Sequence, residues 1–449
     1  MKNTKWLRSA LLGGVAVSVM ATGAQADELS DLKAQLEALQ SQVNKIETAP
    51  AVNLPAGVSV LTIAKGQGSN ANWGNEAASD AANYNTERGF TVSINPTADL
   101  PAPVTEITVY GYTKLDFSWA NETQDTQQLT FRTDLAHGTN ERNRFNLHAQ
   151  QSRFGIKAKS DTAIGQIRTV IEGDFFGSPF STTTSFRLRH AYGEWDFTNA
   201  WTLRAGQAWH LATLLPIGIS TVDFTGPPGV ASSRSPQLAL KYGSGPLKAT
   251  IGIGNPQLAN ADYPNLGGIF QYTSPAGHDL LAAFEIADWD DAATGSSGTG
   301  YSIGGGANIR LGDMITITGG GFFGQGSTGR YLQQSGFTNF DANGNPTRMW
   351  GGNIGVSANL SDATTVNAAF GYVDQRESVG STGGAGCAVA ATGRNAGCVD
   401  DLMTVHANIL WRPVKQMRLG WEVQWGRNDY YAAASNSQVR GAFGAWFFF

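Results

Sequence analysis

The sequence predicts an all-β transmembrane barrel of sixteen antiparallel strands, preceded by an N-terminal α-helical coiled-coil arm. From Glu106 to the terminal Phe449, about sixteen stretches alternate apolar and polar residues, the period expected of a strand with one face in lipid and the other in water. The connections alternate as well. Short ones (Ser160 to Ile164, Thr198 to Ala200, Gly243 to Pro246, Ser274 to His278, Leu311 to Asp313, Ser361 to Ala363, Arg412 to Lys415) each follow an even-numbered strand, and something longer follows each odd-numbered one. Bacterial outer-membrane barrels place tight turns on the periplasmic side and extended loops outside, so this order of gaps orients the chain. No stretch after the N-terminus approaches the roughly 20 apolar residues of a helical span, which leaves the crossing to strands of roughly 9–11 residues.

In chain order, Met1 to Ala26 carries Lys2, Lys5 and Arg8, an apolar run through Leu11, Leu12, Val15, Val17 and Val19, and then Ala24-Gln25-Ala26. This reads as a secretory signal cleaved before Asp27, and it directs the chain to the envelope of a Gram-negative bacterium. The formal charge is −5, and loss of the signal, with three basic and no acidic residues, makes it −8. The net value conceals a segregation. Acids gather in the N-terminal region and in the expected loops, whereas strands of the first half are rich in arginine and lysine, and charge location decides the partner.

Leu29, Leu32, Leu36, Leu39, Val43 and Ile46 are spaced alternately by three and four residues, a coiled-coil seam over residues 27–48. A single helix this short is marginal in water, so the seam implies oligomerisation; a helix lying on the barrel or on peptidoglycan is the alternative. Residues 49–105, rich in Asn, Ala, Gly and Ser and framed by prolines, read as a periplasmic linker. Within it, Val58 to Ile63 and Phe90 to Ile94 alternate and could pair as a hairpin. The barrel is assigned to 106–449.

In the first strand Ile107, Val109, Leu115, Phe117 and Trp119 share one face, and Lys114, Asp116 and Ser118 the other. In the last, Val439, Phe443, Ala445, Phe447 and Phe449 oppose Gln438 and Arg440. A cation on the lipid face near the midplane costs about 2–4 kcal/mol, so the charged face must be lumenal. By this rule Arg153, Lys157, Arg168, Arg187, Arg189, Arg204, Arg234 and Lys241 line the lumen, Lys248 continues the series, and later strands add Glu285, Arg310, Arg418 and Glu422. The phase slips near Gln150, where Phe145 and Leu147 have the other parity from Phe154 and Ile156; a β-bulge is expected there. Rows of Arg or Lys mark anion pores. They also form structural pairs, here with Glu172 and Asp174, and it is the surplus of cations over strand acids that favours transport of small anionic solutes.

The stretch of about 210–232 is apolar for an outer loop (Leu211, Leu214, Leu215, Ile217, Ile219, Val222, Phe224), with a single acid, Asp223, before Gly226-Pro227-Pro228-Gly229. So much apolar surface calls for burial. Folding inward to constrict the lumen, with Asp223 and Phe224 near the path, is the simplest solution; packing over a neighbouring subunit is the other. Cys387 and Cys398 fall between strands thirteen and fourteen, where an oxidising compartment favours a disulfide over free thiols or a metal pair.

GYTKLDFSW from Gly111, QSRFGIK from Gln151, IEGDFFG from Ile171, FRLRHAYGEW from Phe186, AGQAW from Ala205, DFTGPPG from Asp223 and WRPVKQMRLGWEVQWG from Trp411 together resemble the DcaP-like porins. The resemblance implies a homotrimer with an N-terminal coiled coil in the periplasm, embedded in outer-membrane lipid and lipopolysaccharide. It also implies a preference for dicarboxylic acids, placed by motif position on Arg153, Arg168, Arg187, Arg189 and Arg204. The chain departs from the pattern after Trp209, at His210-Leu211-Ala212-Thr213, which bears on the substrate. A phosphate- or polyphosphate-selective or general anion porin is the nearest alternative, because arginine forks bind phosphate as well as carboxylate. An envelope tether would explain the arm but not the arginines. An enzyme is not expected, since His137, His148, His190, His210, His278 and His406 are scattered without a recognisable nucleophile spacing. No cofactor, metal or nucleic-acid partner is expected; the glycine runs at Gly304 and Gly319 read as close strand packing, and Asp288 to Asp291 as a solvated acidic loop.

Overall fold

A computed structural model describes residues 58–63, 89–94, 105–121, 144–177, 184–214, 218–222, 224, 226–229, 233–256, 261–291, 296–326, 347–376, 399–430 and 433–449. The signal, the coiled-coil arm, Asp223, Cys387 and Cys398 lie outside the described residues. The strands are β1 (Val58–Ile63), β2 (Gly89–Ile94), β3 (Thr105–Ala120), β4 (Arg144–His148), β5 (Arg153–Thr162), β6 (Gly165–Asp174), β7 (Arg187–Asp196), β8 (Trp201–Trp209), β9 (Arg234–Ser244) and β10 (Leu247–Gly254). They continue with β11 (Asn265–Thr273), β12 (Asp279–Asp291), β13 (Ser296–Leu311), β14 (Ile315–Gln325), β15 (Arg348–Ser361), β16 (Thr364–Arg376), β17 (Val399–Val414), β18 (Met417–Tyr430) and β19 (Ala433–Phe448).

β4 and β5 pair in succession with β3 and act as one barrel strand. From there each strand pairs antiparallel with the next, and β19 returns to β3, from Arg440 opposite Ala120 to Phe448 opposite Tyr112. The result is a closed barrel of sixteen antiparallel strands, and closure removes the open edges that lipid could not satisfy. Below the point where β19 ends, β2 takes its place beside β3, with Phe90 opposite Val109 and Ile94 opposite Thr105. β1 pairs with β2, so the two alternating pieces of the linker do form a hairpin, and it is joined to the foot of the barrel.

Strand parity sorts the side chains as the alternation requires. Leu115, Trp119, Phe154, Ile156, Leu238, Leu240, Val405, Ile409 and Phe447 stand exposed on the outer face, whereas Lys114, Arg153, Lys157, Gln237, Thr404, His406 and Arg440 are buried on the inner one. Aromatic pairs gather at both ends of the apolar band. Trp195 lies 5.4 Å from Phe197 and Trp201 4.9 Å from Tyr242 toward the turn end, and Trp350 lies 5.3 Å from Tyr372 toward the loop end. They form the girdles of an outer-membrane barrel.

The seven short turns all connect the strands expected. On the other end the rule is not uniform: only residues 292–295 separate β12 from β13, and 431–432 separate β18 from β19. Here small, polar and β-tolerant residues continue the ladders outward, with Asp291 opposite Ser296 and Tyr430 opposite Ala433. Asp288 to Asp291 therefore belong to strand β12 and not to a loop.

The slip near Gln150 is a bulge. Between Asp116 opposite His148 and Tyr112 opposite Arg153, four residues (149–152) face three (113–115), which switches Phe145 and Leu147 and then Phe154 and Ile156 to the same outer face. The Ser152 hydroxyl accepts a hydrogen bond from the Lys114 amide at 2.9 Å, and the Phe175 amide donates to the Gln150 carbonyl at 3.1 Å, so the interrupted ladder is satisfied locally.

Candidate functional site

β5 to β9 build a cationic wall. Arg187 grips Asp174 through two parallel hydrogen bonds, Nε to Oδ1 at 2.9 Å and Nη2 to Oδ2 at 2.7 Å. Arg189 bridges both acids of β6, to Glu172 at 2.8 Å and Asp174 at 2.9 Å, and Arg153 approaches Glu172 at 3.7 Å. Nearer the turn end Glu194 is shared by Arg204 (2.7 Å), Lys241 (2.7 Å) and Arg168 (3.0 Å), and Arg168 also binds Asp196 at 2.6 Å. The structure thus brings Arg153, Arg168, Arg187, Arg189, Arg204 and Lys241 together on one wall, together with Lys157, and pairs most of them. The cations still outnumber Glu172, Asp174, Glu194 and Asp196, and charge-assisted bonds in a site of reduced dielectric hold the surplus in place.

Parity places Arg189 inward with Arg187, but it cannot place Arg189 and His190 inward together. Across β6 and β7, Glu172 faces His190 and Gly173 faces Leu188, so Arg189 is one extra residue. The bulge turns Arg189 and His190, adjacent in sequence, both to the buried inner side, while Leu188 stays outside.

Arg234 departs from the sequence reading. It has the parity of the outward Leu238 and Leu240, but as the first residue of β9 it folds back over the Trp209 ring at 4.4 Å. No acid pairs with it among the described residues. Lys248 is exposed near the Gly245 turn, and Arg310, 4.0 Å from Asp279, is exposed at the turn end.

Aromatic rings are a further component of the wall, one that a pattern of charges alone does not reveal. Arg153 lies over Tyr112 (5.5 Å), Lys157 over Tyr110 (5.8 Å), Arg204 over Tyr192 (4.6 Å) and Arg418 over Trp446 (4.3 Å). These lumenal aromatics share the inner parity of the neighbouring cations, Tyr110 and Tyr112 with Lys114, and Trp446 with Arg440. That parity was the available signal. Ring faces attract cations and exclude water from them.

The stretch after β8 folds inward. Its descending limb begins with His210, whose Nε2 lies 3.0 Å from Glu285 of β12. Leu211 lies against Gly267, and Ala212 and Leu214 join Leu281 and Ala283 in a buried cluster. At the tip the Lys114 ammonium donates to the Val222 carbonyl at 2.8 Å, the Val222 amide donates to Glu422, and the Asn408 amide donates to the Ser220 carbonyl at 2.8 Å. Val222 packs with Tyr110, Tyr112, Leu410 and Trp446. Beyond it, Gly229 has φ +98°, and its backbone approaches Gly352 so closely that a Cβ would sit 2.5 Å from the Gly352 carbonyl carbon. The return limb sets Phe224 edge-on to Phe176 at 4.5 Å, with Arg187 5.6 Å and Arg189 5.9 Å from its ring. His210-Leu211-Ala212-Thr213, the departure noted in sequence, is the root by which this loop is fastened to the opposite wall.

Two further lumenal histidines lie beside acids of the framework. His406 Nδ1 lies 2.8 Å from Glu422, and His148 lies 3.8 Å from Asp116. The Gly319 run packs strand on strand, a Cβ on Gly321 falling 2.8 Å from the Gly351 carbonyl, while Gly304 faces Leu214 of the loop.

A closed sixteen-stranded barrel, an apolar band between aromatic girdles and a polar lumen crossed by an inward loop decide the architecture. The fold is that of an outer-membrane porin. Among solved structures the chain is similar to the outer membrane channel DcaP of Acinetobacter baumannii, at 18% identity over 77% of this chain and 97% of that one, with a TM-score of 0.66. It is also similar to an anion-selective porin from Comamonas acidovorans (14% identity, 77% and 100% covered, TM-score 0.56) and to OmpT of Vibrio cholerae (12% identity, 77% and 98% covered, TM-score 0.51). No protein-family model and no curated protein sequence matches the chain.

Proposed function

We propose that the porin is a passive, ligand-guided diffusion channel for small organic anions, with dicarboxylic acids its principal solutes. The observation that carries the reading is the excess of guanidinium and ammonium groups over carboxylates on β5 to β9. Of these, Arg187 and Lys241 keep 32% and 22% of their side chains exposed. Such groups replace part of the hydration an anion gives up when it enters a narrowed lumen, and they repel cations of the same size. Two anionic ends suit a wall with cations at two levels, Arg187 and Arg189 near the loop and Arg204, Lys241 and Arg168 near the turns. The anion selectivity named for the Comamonas acidovorans porin and the channel role named for DcaP agree with the coarser part of this reading. The homotrimer, the periplasmic coiled coil over residues 27–48 and the Cys387–Cys398 disulfide belong to the same proposal, as does residence among outer-membrane lipid and lipopolysaccharide.

The test is a planar bilayer with the purified full chain in a KCl gradient, followed by competition among succinate, phthalate and phosphate for the chloride current. An anion-directed reversal potential, with dicarboxylates interrupting the current at lower concentration than phosphate, is expected. Stronger block by phosphate would move the assignment to a phosphate-selective porin, and a cation-directed potential would overturn it.

A further inference from the structure

The bulge on β7 places an additional cation in the wall, and its backbone has to be satisfied for the bulge to persist. β7 and β8 pair only from Asp196 opposite Thr202 up to Ala191 opposite Gln207. Beyond Ala191 that ladder is not continued, and the side chain of Gln207 reaches the bulge instead: its amide nitrogen donates to the Leu188 carbonyl at 3.1 Å and to the Arg189 carbonyl at 3.2 Å. An amide NH₂ has two hydrogens to give, one for each carbonyl, and no shorter or apolar side chain offers both. The preceding residue is shaped for the same contact. Gly206 has φ +124°, and a Cβ there would fall 2.3 Å from the Ala191 carbonyl. β8 thus lies too close to β7, just before the bulge, for any side chain at Gly206.

We infer that Gln207 is a positioning residue for anion selectivity: by bridging the Leu188 and Arg189 carbonyls it fixes the bulge that turns Arg189 into the lumen wall. With Arg189 inward, Arg153, Arg187 and Arg189 share the two carboxylates of Glu172 and Asp174, and a net positive charge remains at that level. With the bulge relaxed so that β7 keeps the phase of Tyr192 and Glu194 throughout, Arg189 rotates outward with Ala191, and that surplus is lost. Gln207 touches no permeating ion; it acts through Arg189. The inference rests on the anion-channel reading above.

The experiment compares wild type, Gln207→Leu, Gln207→Met, Arg189→Gln and the double variant Gln207→Met/Arg189→Gln as full-length porin in planar bilayers under a KCl gradient. The heat-modifiable folded band serves as the folding control, and the unbranched Met variant stands in if Leu does not fold. Gln207→Met is expected to lower the anion-to-cation permeability ratio about threefold, the size of effect for one unit charge some ~8 Å from the ion in a largely aqueous medium. In the Arg189→Gln background it should have no further effect, because the two substitutions act on one element. If Arg189→Gln lowers the ratio while Gln207→Met leaves it unchanged, or if the two losses add, Gln207 has no positioning role. If wild type shows no anion preference, or Arg189→Gln leaves it unaltered, the channel reading itself fails.

Discussion

On β5 to β9 the inner face of the barrel carries guanidiniums locked by carboxylates and aromatic rings, whereas on β11 to β18 the same face carries mostly glycine, asparagine, glutamine and threonine, with a few charged groups such as Glu285, Arg418 and Glu422 between them. The second wall is where the inward loop is seated. Leu211, Leu214 and Val222 lie over Gly267, Gly304 and Gly420, and Gly371 meets Pro228. Between these contacts an amide relay runs from Ser357 to Asn367 (2.6 Å), from Asn367 to Asn408 (2.8 Å) and on to the Ser220 carbonyl. Small residues let the backbone of the loop approach, and a few polar groups, the Asn408 amide and the carboxylates of Glu285 and Glu422, satisfy it. One wall is thus built to receive protein and the other to present charge, and the loop narrows the lumen by covering the neutral side.

The largest expected effect breaks the charged wall. Arg189→Ala removes the guanidinium that bridges Glu172 and Asp174, both fully buried, and leaves their charges partly uncompensated. Loss of one partner from a buried ion pair costs about 3–5 kcal/mol. The variant should therefore unfold at markedly lower temperature, measured by the heat-modifiable band and by far-UV circular dichroism, and Glu172→Gln in the same chain should recover much of the loss. Arg187, with a third of its side chain in water, should tolerate alanine better. Equal destabilisation by the two would show that the pairs are not graded by burial.

A smaller effect is expected from the neutral wall. A Cβ on Gly371 would meet the Pro228 carbonyl at 2.7 Å, so Gly371→Val must push the return limb of the loop inward or out of its seat. Overpacking of this kind costs about 1–3 kcal/mol. Its clearer signature is functional. Single-channel conductance should change, and so should the noise of the open state, while the sign of the ion selectivity stays the same because no cation has moved. Glu422→Leu, which removes the acceptor for the Val222 amide and for His406, should act in the same direction. Unchanged conductance in both would mean that the loop is held from elsewhere.

This division explains what was legible in the sequence. Strand number, the turn end, the outward faces and the inner parity of Arg153, Lys157, Arg187 and Arg204 follow from a period-2 code under a strong penalty for charge in lipid. Even the slip at Gln150 was visible, because it reverses the parity of apolar residues. The bulge at Arg189 was not, since Phe186 and Leu188 mark the phase before it but small Ala191 and Gly193 follow it, and Arg189 and His190 are both polar. The aromatic partners were missed for a related reason: Tyr110, Tyr192 and Trp446 look like lipid-facing residues until their parity is compared with that of Lys114, Glu194 and Arg440. Glu285, Glu422 and Asn408 gave no local sign that they would hold the loop, because their partners lie up to 200 residues away in the chain. The short outer connections after β12 and β18 were hidden by residues such as Ala433 and Ser435, which are compatible with either strand or loop.

Arg234 offers the finest comparison between the walls. It rests on Trp209 with no acid partner among the described residues, at the point where the loop returns to the barrel. Because Arg234→Ala strands no carboxylate among the described residues, stability should change modestly, by about 1–2 kcal/mol for a half-buried cation–π contact on a buried ring. Its charge lies in the field of Arg187 and Arg189, so its removal should also ease their mutual repulsion while weakening the attraction for anions. The expected result is a loss of anion preference of about twofold at low salt. That loss should fade as the Debye length falls from about 10 Å at 0.1 M to about 3 Å at 1 M. Reversal potentials at these two ionic strengths make the check. A deficit that persists undiminished at 1 M would place Arg234 in direct contact with the permeating ion instead of acting on it through the field.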